Sequence, residues 1–145
     1  MVILAPVDNS EKAENVLKEA AALARAFDER VHVLHVLSRS DFVDLERTNV
    51  NQTGNVLDIN EVKETAKEIA EVAAASLDID GETVGVMGNP KDEILQYATE
   101  NNVRYIVLGP RKRSPAGKAI FGSVTQSVLL NSKCPVVVVT HDGNK

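Results

Sequence analysis

At 145 residues the chain has the length of one ordinary domain, enough for a single core and too little for two independent ones. It is 43% hydrophobic and 26% charged, as globular proteins are, but only 3% aromatic and without Trp, so the core must be built from Val, Ile, Leu and Ala. A net charge of -5 argues against general nucleic-acid binding, the single Cys134 excludes an internal disulfide, and no apolar run approaches the roughly 18 residues of a membrane span. Met1 to Pro6 lacks a basic leader region and is interrupted early by proline, unlike a signal peptide. The expectation is a cytoplasmic protein in a reducing compartment.

Val2 to Val7 is a short apolar run and predicts a strand buried on both faces. Asp8-Asn9-Ser10 follows, a cluster suited to capping a helix over about 10–27. Val16, Leu17, Ala20, Ala24 and Phe27 supply its apolar stripe. Val31 to Leu37 predicts a second strand. Ser38 to Asp58 has no clean periodicity and predicts a long flexible loop, with at most a helical turn. Val62, Ala66, Ile69, Ala70, Ala73 and Leu77 mark a second helix, and Thr83 to Met87 a third strand. Pro90 stands at the favoured first position of a third helix, with Asp92 and Glu93 in its first turn. Val103 to Leu108 predicts a fourth strand. A basic, glycine-bearing loop then runs to Phe121, a fourth helix starts at Gly122-Ser123, and Pro135 to Thr140 predicts a fifth strand. The tail His141 to Lys145 is expected to fray.

Alternating strands and helices predict a single α/β domain over 1–145, with an open parallel sheet and helices on both faces. Such sheets bind ligands beyond the carboxyl ends of their strands, where strand order reverses. Pro6-Val7-Asp8, Val36 and the segment Leu108-Gly109 through Thr125 reach that edge. The last of these offers glycines for close backbone approach and a helix N-terminus whose free N–H groups attract an anion. Ser123 and Thr125 are either hydroxyl donors to a ligand or ordinary helix caps.

Gly109, Gly122 and Ser123 have the spacing of the Gly-x2-Gly-x9-Gly-[Ser/Thr] loop, and here the chain resembles the universal stress proteins. The resemblance takes in Ala5-Pro6-Val7-Asp8-Asn9-Ser10, Leu34-His35-Val36, Gly88-Asn89-Pro90, Ile106-Val107-Leu108-Gly109 and Cys134-Pro135-Val136-Val137-Val138-Val139, nearly the whole chain. It implies a Rossmann-like sheet in the order 3-2-1-4-5. It also implies ATP or another adenine nucleotide as ligand, in a stress-response or regulatory role. Asp8 and Val36, with Pro6 nearby, would hold the adenine. Gly109, Gly122 and Ser123, with Val124 and Thr125 beside them, would hold ribose and phosphates. The order leaves the fifth strand on an edge, where pairing with a second copy would cover Pro135 to Thr140 and give a homodimer.

One position departs from the pattern. Lys112 stands where the middle glycine belongs, unfavourable if that backbone needs positive φ or close phosphate approach. Either the site is vestigial and the protein is a dimeric interaction module, or Arg111, Lys112, Arg113 and Lys118 replace backbone donors with charge while Gly117 supplies flexibility.

Other chemistries fit worse. Gly117-Lys118 lacks the first glycine and the hydroxyl residue of a P-loop, and Pro6 to Asn9 contains no dinucleotide glycine fingerprint and no pyrophosphatase loop. His32 and His35, three apart on a strand, point to opposite faces and do not share a metal. Cys134 has no activating histidine motif around it. The basic run at 111–113 has no interleaved aromatics for nucleic-acid stacking. Beyond Asp8 no general base or metal cluster stands out, so any ATP hydrolysis would be incidental, and a role for Mg²⁺ stays open.

Overall fold

β-Branched and Leu-rich runs with both faces apolar form the middle of a five-stranded parallel sheet. The computed structural model describes residues 1–8, 12–53, 58–75, 77, 79, 81–110, 112–113 and 119–140. In chain order these give β1 (Val2–Pro6), α1 (Lys12–Phe27), β2 (Arg30–Leu37), α2 (Arg39–Thr53), α3 (Ile59–Ala75) and β3 (Gly81–Met87). There follow α4 (Pro90–Glu100), β4 (Val103–Leu108), β5 (Lys112–Arg113), β6 (Ala119–Ile120), α5 (Ser123–Asn131) and β7 (Val136–Val138). The sheet order is β3-β2-β1-β4-β7, the 3-2-1-4-5 order that the resemblance implies. Ile3 lies beside Val31, Leu4 beside His32, and Ile106 beside Val136, while the pairing of β1 with β4 shifts register between Val2 and Ile3.

Alternation along the strands sorts the core into two layers. Ile3, Ala5, Val31, Val33 and Val107 pack with α1 through Val16, Leu17 and Ala20, and with α3 through Ala70. Leu4, Leu34, Val36 and Ile106 face the other way, onto Ile94 of α4 and Val128 of α5. Burying one such aliphatic side chain is worth about 1.5–3 kcal/mol, so these two layers carry the fold. Gly85 has a packing reason: a Cβ there would lie 2.1 Å from the backbone nitrogen of Lys67, because α3 rests directly on β3. Two turns rest on short polar residues at positive φ, Asp28 (54°) and Asn102 (52°). At the first, the Glu29 N–H returns to the Ala24 carbonyl at 2.8 Å and closes α1.

Three expectations need correction or adjustment. The largest concerns residues 38–58, expected as a loop, where Arg39–Thr53 forms α2. Its start is fixed by a reciprocal cap: the Ser38 N–H donates to Asp41 Oδ2 and the Asp41 N–H to Ser38 Oγ, both at 3.2 Å. Phe42 and Leu45 then pack against Leu37, Val62 and Ala66. Second, the basic loop contains a two-stranded antiparallel pairing of β5 with β6, which the sequence did not announce. Third, the last strand is shorter than expected, Val136–Val138 instead of Pro135 to Thr140. The cap expected from Asn9-Ser10 and the tail His141 to Lys145 lie outside the described residues.

The two strand histidines do face apart. His32 Nδ1 lies 2.7 Å from the Tyr97 hydroxyl of α4, and its Nε2 lies 3.8 Å from Glu82 on β3. Burial lowers the His32 pKa below 6.5 and outweighs the opposing pull of Glu82, while Arg30 adds to the lowering. The folded state therefore disfavours the imidazolium. The stability this contributes is complete above 6.5 and is lost as pH falls towards the lower folded value. Urea midpoints should drop between about pH 7 and pH 5, and His32→Gln should flatten that drop. An unchanged pH slope in the variant would contradict the assignment.

Candidate functional site

β1 has β2 on one side and β4 on the other, so strand order reverses at the carboxyl ends of β1 and β4. Between them and the starts of α1, α2 and α5 opens a cleft of about 370 Å³. The β1 side is set by Pro6, Val7 and the exposed Asp8. The Val7 N–H donates to the Leu34 carbonyl at 2.8 Å, carrying the pairing of β1 with β2 one residue past the strand. On the β2 side stand Leu34, His35 and Val36. His35 is buried, with its Nδ1 2.7 Å from the Val7 carbonyl oxygen. Ser38 and Asp41, the cap of α2, form the rim beyond them.

The opposite wall comes from β4 and α5. Leu108 and Gly109 end the strand, and the Leu108 carbonyl accepts the Val139 N–H at 2.7 Å. Gly109 packs closely on α1: a Cβ there would sit 3.1 Å from Cγ2 of Val16, a few tenths of an ångström tighter than ordinary contact. Gly122 is the N-cap of α5, with extended backbone (φ -78°, ψ 174°) and no side chain to occupy the helix end. The N–H groups of Ser123, Val124 and Thr125 accordingly have no acceptor within the helix and stand at the cleft wall. Thr125 is buried, and its hydroxyl donates to the Gly109 carbonyl at 3.3 Å. Its hydrogen is thus spent on tying α5 to β4, which is neither the ligand contact nor the helix cap expected for it.

The cleft is chemically polarised. Acceptors gather at the β1–β2 end, in the Asp8 and Asp41 carboxylates, the Ser38 hydroxyl and the His35 ring. Donors and the positive end of a helix dipole gather at the α5 end. An elongated ligand with N–H or O–H groups at one end and an anion at the other matches this arrangement.

Most of the site expected from the sequence comes together here. Pro6, Asp8 and Val36 stand on one side, and Leu108, Gly109, Gly122, Ser123, Val124 and Thr125 on the other. Of Lys112 the structure describes the backbone alone. Gly117 lies outside the described residues. Lys112 begins β5, paired with Ile120, and the non-glycine residues at positive φ among the described residues are Asp28 and Asn102, so its backbone does not need the positive φ that favours glycine. The sequence reading missed His35, Ser38 and Asp41. The Ser-x-x-Asp spacing immediately after a strand is the signal that could have found the last two.

Known proteins share this sequence pattern and this fold. The sequence model of the universal stress protein family matches residues 1–140. The universal stress protein YxiE of Bacillus subtilis is 32% identical, over 94% of this chain and 97% of its own. MJ0577, a universal stress protein of Methanocaldococcus jannaschii with a solved structure, is 30% identical over 94% of this chain and 93% of its own, with a TM-score of 0.69. A universal stress protein from Archaeoglobus fulgidus, solved in complex with dAMP, is 27% identical over 95% of this chain and 96% of its own, with a TM-score of 0.59.

Proposed function

Because the chain belongs to the universal stress protein family, we propose that its cleft binds an adenine nucleotide and that occupancy of the cleft serves a stress-response or regulatory role. The observation that carries this reading is the bare N-terminus of α5, opened by Gly122 and directed at the cleft opposite an acceptor-rich end. The phosphate would sit on the amides of Ser123, Val124 and Thr125. The nucleoside would lie across Pro6 and Val36, its donor groups towards Asp8. The dAMP complex of the Archaeoglobus relative supports a ligand of this class. The strand backbone at Lys112 supports this reading in one respect, since it does not call for glycine's positive φ. No catalytic group is assigned, and hydrolysis is not part of the proposal.

Titration calorimetry of nucleotide-free protein with AMP, ADP and Mg-ATP should show saturable binding. Asp8→Ala should weaken it at least about tenfold, since a hydrogen bond to a charged group is worth about 1.5–3 kcal/mol. Silence with all three nucleotides at millimolar concentration would overturn the reading and favour a dimeric interaction module with a vestigial cleft.

We also propose that two copies pair through β7, the sheet edge at which the order ends. Val136–Val138 are only partly buried there, and such an edge is a ready template for a further strand. The Val139 N–H points back to Leu108, so by alternation the Val138 N–H points outward. Light scattering should report a dimer, and Val138→Pro, which removes that outward donor, should shift it towards monomer. A monomer at micromolar concentration of unsubstituted protein would contradict the pairing.

A further inference from the structure

His35 has two ring nitrogens with different fates. Nδ1 lies 2.7 Å from the Val7 carbonyl oxygen, and a carbonyl can only accept, so Nδ1 carries the hydrogen. In the neutral ring this leaves Nε2 a bare acceptor. Nε2 has no hydrogen-bond partner among the described residues, although His35 is only 8% exposed. Among those residues, the side-chain atom both sealed from solvent and unpartnered is Glu29 Oε2, not a nitrogen of His35. Nε2 therefore keeps its contact with solvent, and the solvent that His35 borders is that of the cleft. Its neighbours along the rim are already engaged, Ser38 and Asp41 with each other.

We propose that His35 is a specificity-determining residue of the cleft, accepting through Nε2 a hydrogen bond from an N–H or O–H donor of the bound nucleoside. This rests on the nucleotide-binding reading above and goes beyond it by giving the His35 ring a role in reading the ligand. The physical reason is the asymmetry of buried polar groups. A ligand that covers Nε2 while offering a donor replaces the lost water. A ligand that covers it with a carbonyl or a carbon leaves an acceptor unsatisfied and is rejected. The Nδ1 bond to Val7 holds the ring in one tautomer and one orientation, so the acceptor is presented before the ligand arrives. Adenosine monophosphate carries three candidate donors, the 6-amino group and the 2′- and 3′-hydroxyls.

The test uses AMP, IMP, 2′-deoxy-AMP and 3′-deoxy-AMP against the unsubstituted protein and His35→Asn. Asparagine can still donate to the Val7 carbonyl but has nothing at the Nε2 position. AMP should bind His35→Asn roughly three- to tenfold more weakly. One analogue should lose a similar factor on the unsubstituted protein and lose nothing further on the variant, which identifies the donor. If the variant does not fold, the ¹⁵N resonance of His35 Nε2 in the unsubstituted protein decides: AMP should move it in the direction of an acceptor that has gained a hydrogen bond. Equal AMP affinity in both proteins, or an Nε2 resonance that AMP leaves in place, would overturn the assignment. Absence of any nucleotide binding to the unsubstituted protein would overturn the functional reading as well, so the two failures are told apart.

Discussion

The reversal of strand order at β1 is the constraint on which the rest of this protein depends. β1 is paired with β2 on one side and β4 on the other, and right-handed crossovers carry the chain away in opposite senses. The carboxyl ends of β1 and β4 then border one cleft. Because the sheet is parallel, the starts of helices also collect at that edge. A gap, a helix N-terminus and several strand ends thus come together as a consequence of topology. The two hydrophobic layers, built on alternate residues of the same strands, hold this geometry rigid.

What the sequence adds to that frame is polarity. Glycine at 122 leaves the amides of α5 unoccupied, and glycine at 109 lets β4 end close against Val16. Thr125 turns its hydroxyl inward to bind these two pieces together. On the far side, His35 fixes the peptide that precedes Asp8, so the position of the aspartate depends on a buried ring in the neighbouring strand. Donors at one end and acceptors at the other define an orientation for a ligand before any ligand is present. Groups held in place in this way lower the cost of ordering on binding.

Legibility in the sequence followed how local each cause is. β1, β2 and β4 are short runs apolar on both faces, and α1 and α3 carry a helical stripe, so each declares itself. The helix α2 does not, because its sequence is mostly polar, with Phe42 and Leu45 packing on the core, and its start depends on a two-residue cap. The β5–β6 pairing, two residues a side, is too short for any periodicity. Asp28 and Asn102 adopt positive φ because the chain must turn there, not because their identity demands it. In the cleft, the glycines and strand ends were legible because their roles are backbone roles. Strand parity indicated which face His35 takes but not that its ring would reach the peptide before Asp8. That contact joins two strands, and it emerges only once the sheet is assembled.

The central claim is that the cleft holds a nucleotide with its phosphate on the first turn of α5. Backbone amide resonances test it most directly, by titrating isotope-labelled protein first with AMP and then, separately, with adenosine. The account predicts that AMP displaces the amide resonances of Ser123, Val124 and Thr125, while adenosine perturbs residues near Val36 and Asp8 and leaves the α5 amides close to their free positions. AMP binding that leaves those three amides unmoved would contradict it.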